Sequence, residues 1–159
     1  TYMDQAEVQA VDVRAGLDDT LTILRNKLKG GVTVVRDYSD DLQVINAYAG
    51  ELNQVWTNLI DNAIDAMDGE GTLILRTRHE DPWVIVEIED NGPGIPEENR
   101  LKIFDPFFTT KGPGEGTGLG LSISRNIVVQ KHRGEISVNS EPGRTCFAVR
   151  LPLDSGPGE

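Results

Sequence analysis

The chain has 159 residues, of which 38% are hydrophobic and 26% charged, and this composition suits one soluble globular domain. Its formal net charge of −11 argues against a nucleic-acid binder, because phosphate backbones require a basic face. No apolar run approaches the ~20 residues of a membrane span. The one cysteine, Cys146, cannot form an internal disulfide. We therefore expect a cytoplasmic domain with Cys146 as a small core residue, and leave open whether the parent protein is membrane-anchored.

The first part of the chain predicts one helix and two strands. Residues 1–10 carry no clear core pattern and are interpreted as a linker or the end of an upstream dimerisation helix. Asp12 can cap a helix over about 13–28, where leucines recur at helical spacing. The valine-rich residues 32–35 are typical of a strand, and residues 44–45 of a second, shorter one.

The middle of the chain predicts a second helix followed by a hairpin. Apolar residues repeat at helical spacing over about 51–67, and a glycine-containing break follows. Strands at 72–78 and 83–90 then flank a short turn. Residues 91–116 are rich in glycine and proline, with only a short helical piece near 97–104.

The last part predicts a third helix over about 118–131 and two strands, 135–139 and 146–151. Residues 154–159 are polar and are interpreted as a disordered tail, so that 11–153 form the folded domain. Because helices and strands come in mixed order, we expect an α+β fold. Its predicted architecture is a two-layer α/β sandwich, with three main helices on one face of a mixed, mostly antiparallel sheet.

A polar stripe runs along the second predicted helix. Asn58, Asp61, Asn62 and Asp65 follow the i, i+3, i+4, i+7 spacing and therefore share one helix face. A solvated face is the simpler interpretation of any such stripe. Asparagine is nevertheless a poor helix former, so two of them in mid-helix indicate a function. Amide oxygens are suitable ligands for Mg²⁺, which is usually coordinated by protein, water and substrate phosphates together.

Asp90 ends a predicted strand and opens the sequence Asp-Asn-Gly-Pro-Gly-Ile. Val84, Val86 and Ile88 share one face of that strand, and Asp90 has the same parity, so its carboxylate should point toward the core. A buried carboxylate is costly without hydrogen-bond donors, and the exocyclic amine of adenine is a suitable donor. Gly92 and Gly94 would let a flat base approach the backbone. The alternative is an ordinary turn at a strand end.

A glycine run covers residues 112–120, immediately before the third predicted helix. Alternate glycines expose backbone amides, and a helix N-terminus favours anions, so the run indicates a phosphate cradle. It is not a Walker loop, because no Lys-Ser/Thr pair follows the last glycine. A flexible linker is the alternative for any glycine run.

Three aromatic residues, Phe104, Phe107 and Phe108, precede Lys111 in a predicted loop. Aromatic side chains are costly to expose, so they belong either to the core or to a movable lid. In a lid, Lys111 would come to the phosphates as a point charge.

Together these segments closely resemble the histidine kinase branch of the Bergerat-fold (GHKL) ATPases, which also include gyrase, the ninety-kilodalton chaperones and MutL-type repair proteins. Residues 58–66 resemble the N box and 90–95 the first glycine box. Residues 104–111 resemble the F box, 116–122 the second glycine box, and 143–147 the last glycine-containing segment of the site. Each motif alone is weak, but five in this order are specific.

The resemblance implies ATP and Mg²⁺ as the bound groups, and it assigns roles residue by residue. Asn62 would ligate Mg²⁺, with Asn58 beside the metal and phosphates, and both would be catalytic together with Lys111. The implied nucleotide-binding residues are Asn58, Asn62, Asp90, Gly92, Gly94, Ile95, Phe104, Phe107, Phe108, Lys111, Gly116, Thr117, Gly118, Leu119, Gly120, Leu121 and Thr145.

Asn58 distinguishes branches of the superfamily. Members that activate water, and the serine kinases that inhibit sigma factors, carry a glutamate there as general base. An amide cannot take up a proton, so hydrolysis by this domain alone should be slow. Two departures from the family pattern are Asp65, where many histidine kinases carry a basic residue, and the short segment at Gly143.

The phosphorylated histidine is expected outside this chain. Neither His79, which we expect to be exposed, nor His132, which follows the third helix, lies in a His-Glu/Asp helical context. The resemblance therefore implies an upstream dimerisation and phosphotransfer domain of the same protein, a response regulator as indirect partner, a homodimeric parent and a monomeric fragment. The alternatives are a stand-alone ATPase or serine kinase of the superfamily, and a degenerate nucleotide-sensing module.

Overall fold

The computed structural model describes residues 7–41, 44–108 and 119–154. Within these ranges no helix is long and apolar enough to cross a lipid bilayer. The elements, in chain order, are β1 (Gln9–Val11), α1 (Val13–Ile23), α2 (Arg25–Leu28), β2 (Val32–Asp37), β3 (Ile45–Ala47), α3 (Ala49–Ala66), β4 (Gly71–Glu80), β5 (Trp83–Asp90), a 3₁₀ turn (Glu97–Asn99), α4 (Gly120–Arg125), a π-helical segment (Asn126–Lys131), β6 (Glu135–Glu141) and β7 (Arg144–Pro152).

A five-stranded sheet forms one layer of the fold, in the order β2-β4-β5-β7-β6. The β2–β4 pair is parallel, whereas β4–β5, β5–β7 and β6–β7 are antiparallel. A second, two-stranded sheet joins β1 to β3 in antiparallel register. The predicted mixed and mostly antiparallel sheet is therefore confirmed.

The helices cover one face of the five-stranded sheet. Helix α1 begins at Asp12, whose Oδ1 accepts the Arg14 amide at 3.0 Å and so caps the first turn. Helix α3 packs against α1, α4 and β5, and its apolar side is buried, with Trp56 and Leu59 at its centre. Full burial of a side chain of this size contributes about 2–3 kcal/mol, so α3 is a major source of stability. The predicted α/β sandwich is confirmed.

Two predicted helices are less regular than the sequence pattern indicated. The first breaks at Leu24 into α1 and α2, after Thr20 and Thr22 donate their hydroxyls to backbone carbonyls one turn back. Such back-bonding often bends a helix. The third predicted helix turns from α into π geometry at Asn126, and the His132 amide closes an i→i+5 bond to the Ile127 carbonyl.

The ends of the domain also differ from the prediction. Residues 9–10 belong to β1 rather than to a linker, because they pair with β3. Asp154, a residue of the predicted tail, forms an isolated β-bridge with Asn46. Val44 lies just before β3, and the predicted helical piece near 97–104 is reduced to the one 3₁₀ turn. Residues 1–6 and 155–159 lie outside the described ranges.

Cys146 is buried, as predicted, but not in the main core. Its neighbour Phe147 points into the core, so Cys146 points to the opposite face of the sheet. Ion pairs lie on that face, among them Arg76 Nη1 2.8 Å from Glu89 Oε1 and Arg78 Nη1 2.8 Å from Glu87 Oε2. Burial raises the pKa of the Cys146 thiol to about 11, which makes it unreactive at neutral pH.

Candidate functional site

The asparagines of α3 face the start of α4. Asn58 is half-buried, and its Nδ2 donates to the Gly120 carbonyl at 3.1 Å and to Ser124 Oγ at 3.2 Å. Ser124 is fully buried, so this contact fixes the two helices against each other. The end of the glycine run and the polar stripe, which are 62 residues apart in sequence, therefore meet in the fold.

The rest of the stripe divides into an amide side and a carboxylate side. Asn62 is half-buried and has no hydrogen-bond partner among the described residues. Asp61 and Asp65 instead contact Lys27 of α2, with Lys27 Nζ hydrogen-bonded to Asp61 and 3.3 Å from Asp65 Oδ1. The Asp61 hydrogen bond raises the pKa of Lys27 above its usual value. A cation thus stands beside Asp65, supplied by another helix.

Asp90 lies at the end of β5 with its side chain on the core side of the sheet, as its parity predicted. It is 4% exposed. Its Oδ1 accepts the Gly92 amide at 2.9 Å, and the carboxylate has no other hydrogen bond to the described residues. Burial therefore raises the pKa of Asp90, with the Gly92 amide opposing that shift. A carboxylate held in this way is suited to a further hydrogen-bond donor from a ligand.

The loop after Asp90 is clamped between a helix and a strand. A Cβ at Gly92 would lie 2.8 Å from the Ala66 carbonyl oxygen at the end of α3. Gly94 has a φ of 91°, and a Cβ there would lie 2.5 Å from the Glu141 carbonyl oxygen of β6. The two glycines are therefore required for the close approach of this loop to the protein on both sides.

Thr145 continues the site across the sheet. It pairs with Asp90 on β5 and with Ser140 on β6, so the three side chains form one row on the core side. Ser140 Oγ lies 2.8 Å from Thr145 Oγ1 and accepts the Ile95 amide at 2.8 Å. This row connects the base of the glycine loop to the carboxylate.

The three aromatic residues behave differently from one another. Phe104 packs edge-on against Phe147, with ring centroids 6.3 Å apart, and Phe108 also packs against the core. Phe107 is 72% exposed and has a φ of 70°, which is unusual for a bulky residue. Two of the aromatics are therefore core residues, and Phe107 is the one presented to solvent.

The glycine run and its lysine are only partly described. Leu119, Gly120 and Leu121 are half-buried at the start of α4, and Leu121 packs against the core. Lys111, Gly116, Thr117 and Gly118 lie outside the described residues, so their roles remain predictions.

Sequence reasoning missed the residues that hold the site together. Asn91 Oδ1 accepts the Thr72 amide at 3.0 Å and ties the glycine loop to β4. Ser124 and Lys27 contact the polar stripe from other helices. Ser140 was the one with a local signal, because it has the inward parity of Ile136 and Val138.

Neither histidine lies in the site. His132 is 0% exposed; its Nδ1 lies 2.9 Å from the Ile127 carbonyl oxygen, and its Nε2 accepts the Tyr48 amide at 3.1 Å. His79 is on β4 and is half-buried, with a side-chain exposure of 25%, so the expectation that it is exposed was wrong. Its Nε2 lies 4.0 Å from Asp81 Oδ1.

The glycine loop after Asp90 thus contacts the end of α3, and Asn58 of the same helix contacts the start of α4. Residues 48–155 match the family described as histidine kinase-, DNA gyrase B- and HSP90-like ATPases, and the chain belongs to this family.

Within the family the similarity is to histidine kinases. The signal transduction histidine-protein kinase AtoS of Escherichia coli (strain K12) is 37% identical over 149 residues, which are 92% of this chain and 24% of AtoS. The sensory histidine kinase/phosphatase NtrB of Escherichia coli O157:H7 is 38% identical over 144 residues, 84% of this chain and 40% of NtrB. This chain therefore spans well under half the length of these two relatives.

A solved structure gives the same result. The nucleotide-free catalytic domain of the histidine kinase ThkA superimposes with a TM-score of 0.86 at 30% identity, covering 94% of this chain and 97% of that domain. The chain is thus an ATP-binding catalytic domain of the histidine kinase type.

Proposed function

We propose that this domain binds Mg-ATP between α3, the loop at 91–95 and the start of α4, and that it transfers the γ-phosphoryl group to a histidine on a separate dimerisation domain. The observation that carries the proposal is Asp90, a buried carboxylate that accepts one hydrogen bond and can accept another from a ligand. The reaction of the whole protein is inferred from relatives, of whose length this chain covers only a part.

Base binding would use an acceptor and a donor side by side. The carboxylate of Asp90 would accept a hydrogen bond from the exocyclic amine of adenine, and the hydroxyl of Thr145 would support the base directly or through water. Gly92, Gly94 and Ile95 would contribute backbone surface close to the base. A hydrogen bond to a charged, desolvated acceptor contributes about 2 kcal/mol, enough for roughly 30-fold in affinity.

Mg²⁺ fits the amide side of the α3 stripe. Asn62 is half-buried and unpartnered among the described residues, and an amide oxygen is a suitable ligand for a hard cation. When bound, Mg²⁺ would neutralise charge on the phosphate oxygens. Asn58 would lie beside it and hold the start of α4, whose N-terminus favours phosphate.

The remaining phosphate contacts are assigned by the family motifs. Gly116, Thr117, Gly118, Leu119, Gly120 and Leu121 would bind the phosphates. Lys111 would add a cation, and Phe104 and Phe108 would anchor the lid to the core, with Phe107 on its exposed side. In the histidine kinase branch the nucleophile is an imidazole from another domain, so the domain does not need a general base at Asn58.

Partners and location follow the same inference. A structure of ThkA in complex with the response regulator TrrA resembles this chain with a TM-score of 0.81 at 28% identity, and the chain covers 42% of that ThkA chain. We infer a response regulator as the final phosphoryl acceptor, a homodimeric parent protein with an upstream phosphotransfer domain, and a cytoplasmic position for this domain.

Titration calorimetry with ATP, in the presence and absence of Mg²⁺, tests the proposal. Wild-type protein should bind Mg-ATP, Asp90→Asn should bind at least about 30-fold more weakly, and Asn62→Ala should lose the part of the affinity that depends on Mg²⁺. Gln54→Ala, an exposed amide on the same helix, is the matched control and should bind as wild type does. Wild-type protein that binds no ATP would refute the proposal.

An assay of ATP turnover separates this function from its nearest rival. Because Asn58 cannot act as a base, the domain alone should release phosphate slowly, if at all. Sustained turnover without any partner would favour a stand-alone ATPase or a serine kinase of the same family.

A further inference from the structure

The hydroxyl of Ser140 has three polar neighbours, all of which lie behind the proposed base site. Ser140 is 6% exposed, and its Oγ accepts the Ile95 amide at 2.8 Å. The same oxygen lies 2.8 Å from Thr145 Oγ1 and 3.4 Å from the Arg144 carbonyl oxygen. A Cβ at Gly94 would lie 3.3 Å from it, so the glycine loop rests directly on this hydroxyl.

The donors and acceptors around Ser140 allow two arrangements of the protons. The Ile95 amide can only donate, so it occupies one lone pair of Ser140 Oγ. Ser140 then has one proton to give, either to Thr145 Oγ1 at 2.8 Å or to the Arg144 carbonyl at 3.4 Å. If Thr145 donates to Ser140, the Ser140 proton is left with the Arg144 carbonyl at 3.4 Å, which is longer than the roughly 2.7–2.8 Å of a normal O–H···O bond. If Ser140 donates to Thr145, the proton of Thr145 is available to an acceptor on a ligand.

The hydroxyl of Thr145 stands beside the Asp90 carboxylate. Thr145 is the cross-strand partner of Asp90, and both side chains lie on the core side of the sheet. A donor beside a carboxylate acceptor matches the Watson–Crick edge of adenine, which presents the N6 amine as donor and N1 as acceptor. Guanine presents an acceptor, O6, where adenine has its amine, and would place that oxygen against the Asp90 carboxylate.

We propose that Ser140 is a positioning residue for base recognition: by donating to Thr145 and accepting from Ile95, it turns the Thr145 hydroxyl into a donor toward the base. This inference rests on the proposed nucleotide site at Asp90. Ser140 itself does not touch the base, so its effect must pass through Thr145.

Binding of ATP and of GTP, measured by calorimetry with Mg²⁺, tests this role. Ser140→Ala should weaken ATP binding about fivefold to tenfold and GTP binding much less, so the preference for adenine falls. Ser137→Ala removes the same hydroxyl from an exposed position on the same strand and should leave both affinities unchanged. Equal losses for the two nucleotides would contradict the inference, because a merely structural role does not discriminate between bases.

A double-mutant cycle checks that Ser140 acts through Thr145. In a Thr145→Val background, Ser140→Ala should have no further effect on the ratio of ATP to GTP affinity. An unchanged effect there would refute the coupling. Ser140→Thr and Ser140→Val have side chains of equal shape and offer a second comparison. Only the threonine variant should retain the preference for adenine. Melting temperatures show whether each variant is folded.

The test also separates this inference from the proposed function. If wild-type protein binds ATP and Asp90→Asn does not, while Ser140→Ala binds both nucleotides as wild type does, the nucleotide site stands and the role of Ser140 is refuted. If wild-type protein binds no ATP, both proposals fail.

Discussion

Single residues in this site show a conflict between binding and stability. Asp90 is a buried carboxylate whose pKa in the folded protein is raised above its ordinary value of 3.8, chiefly by burial. Between those two pKa values the folded state binds more protons than the unfolded state, so stability falls as the pH rises through that window. At neutral pH the ionised carboxylate therefore costs stability, and a nucleotide amine would offset that cost.

We expect Asp90→Asn to raise the free energy of unfolding of the nucleotide-free protein at pH 7.5 by about 1 kcal/mol, a gain typical of stabilising substitutions at functional sites. The same variant should lose ATP affinity. The amide oxygen of asparagine can still accept the Gly92 hydrogen bond, so only the buried charge is removed. Urea denaturation of both proteins measures the difference in the free energy of unfolding. Asp105→Asn, at an exposed position, is the control and should change little. A less stable Asp90→Asn variant would contradict this prediction.

At the scale of elements, His132 joins the π-helical segment to the start of α3. The Ile127 carbonyl can only accept, so Nδ1 carries the proton, and the Tyr48 amide must donate to the lone pair of Nε2. The ring is therefore neutral in the fold. Burial lowers the pKa of His132 below its ordinary value of 6.5, and the Ile127 hydrogen bond and Glu51 oppose that shift.

The depressed pKa predicts a loss of stability in mild acid. Between the folded pKa and 6.5 the unfolded state binds more protons, so stability is complete above about pH 6.5 and falls as the pH drops below it. Between pH 7.5 and 5.5 we expect the free energy of unfolding of the wild-type protein to fall by about 1 kcal/mol more than that of a His132→Gln variant. Urea titrations at both pH values measure it. The same slope in His132→Gln as in the wild type would rule the mechanism out.

Periodicity in the sequence predicted those elements that are long and amphipathic. The alternation that placed the Asp90 carboxylate inward, and the helical spacing of α3, both follow from contacts with one continuous core. The short strand β1 was missed because three residues carry little pattern and its pairing with β3 is non-local. Lys27 was missed for a similar reason, since its contact with Asp61 depends on where α1 breaks.

At the scale of the whole molecule, an acidic chain is proposed to bind a polyanion. With a net charge of −11, long-range electrostatics oppose a triphosphate, so binding must depend on short-range groups: backbone amides, the metal and a few placed cations. Several contacts that assemble those groups, such as Asn58 to Gly120 and Ile95 to Ser140, cross between elements distant in sequence. The site is therefore a property of the complete fold rather than of any one motif.

The fold also argues against either histidine of the chain as the phosphoryl acceptor. His132 is fully buried with both ring nitrogens engaged, so it cannot act as a nucleophile. His79 lies six residues along β4 from Leu73, the partner of Asp90, which is about 20 Å at the rise of a strand. His132 is therefore closed to a phosphoryl group, and His79 lies far from the carboxylate that is proposed to bind the base.

We expect this chain, incubated alone with γ-labelled Mg-ATP, to acquire no acid-labile phosphate. Addition of a separately produced histidine-bearing dimerisation domain from the same protein should produce label on that domain only. Filter binding before and after mild acid treatment measures both, and Asp90→Asn, which should support no transfer, is the control for nucleotide dependence. Acid-labile label on this chain that disappears in a His79→Gln variant would show that β4 can reach the nucleotide, and the separate-acceptor mechanism would then be wrong.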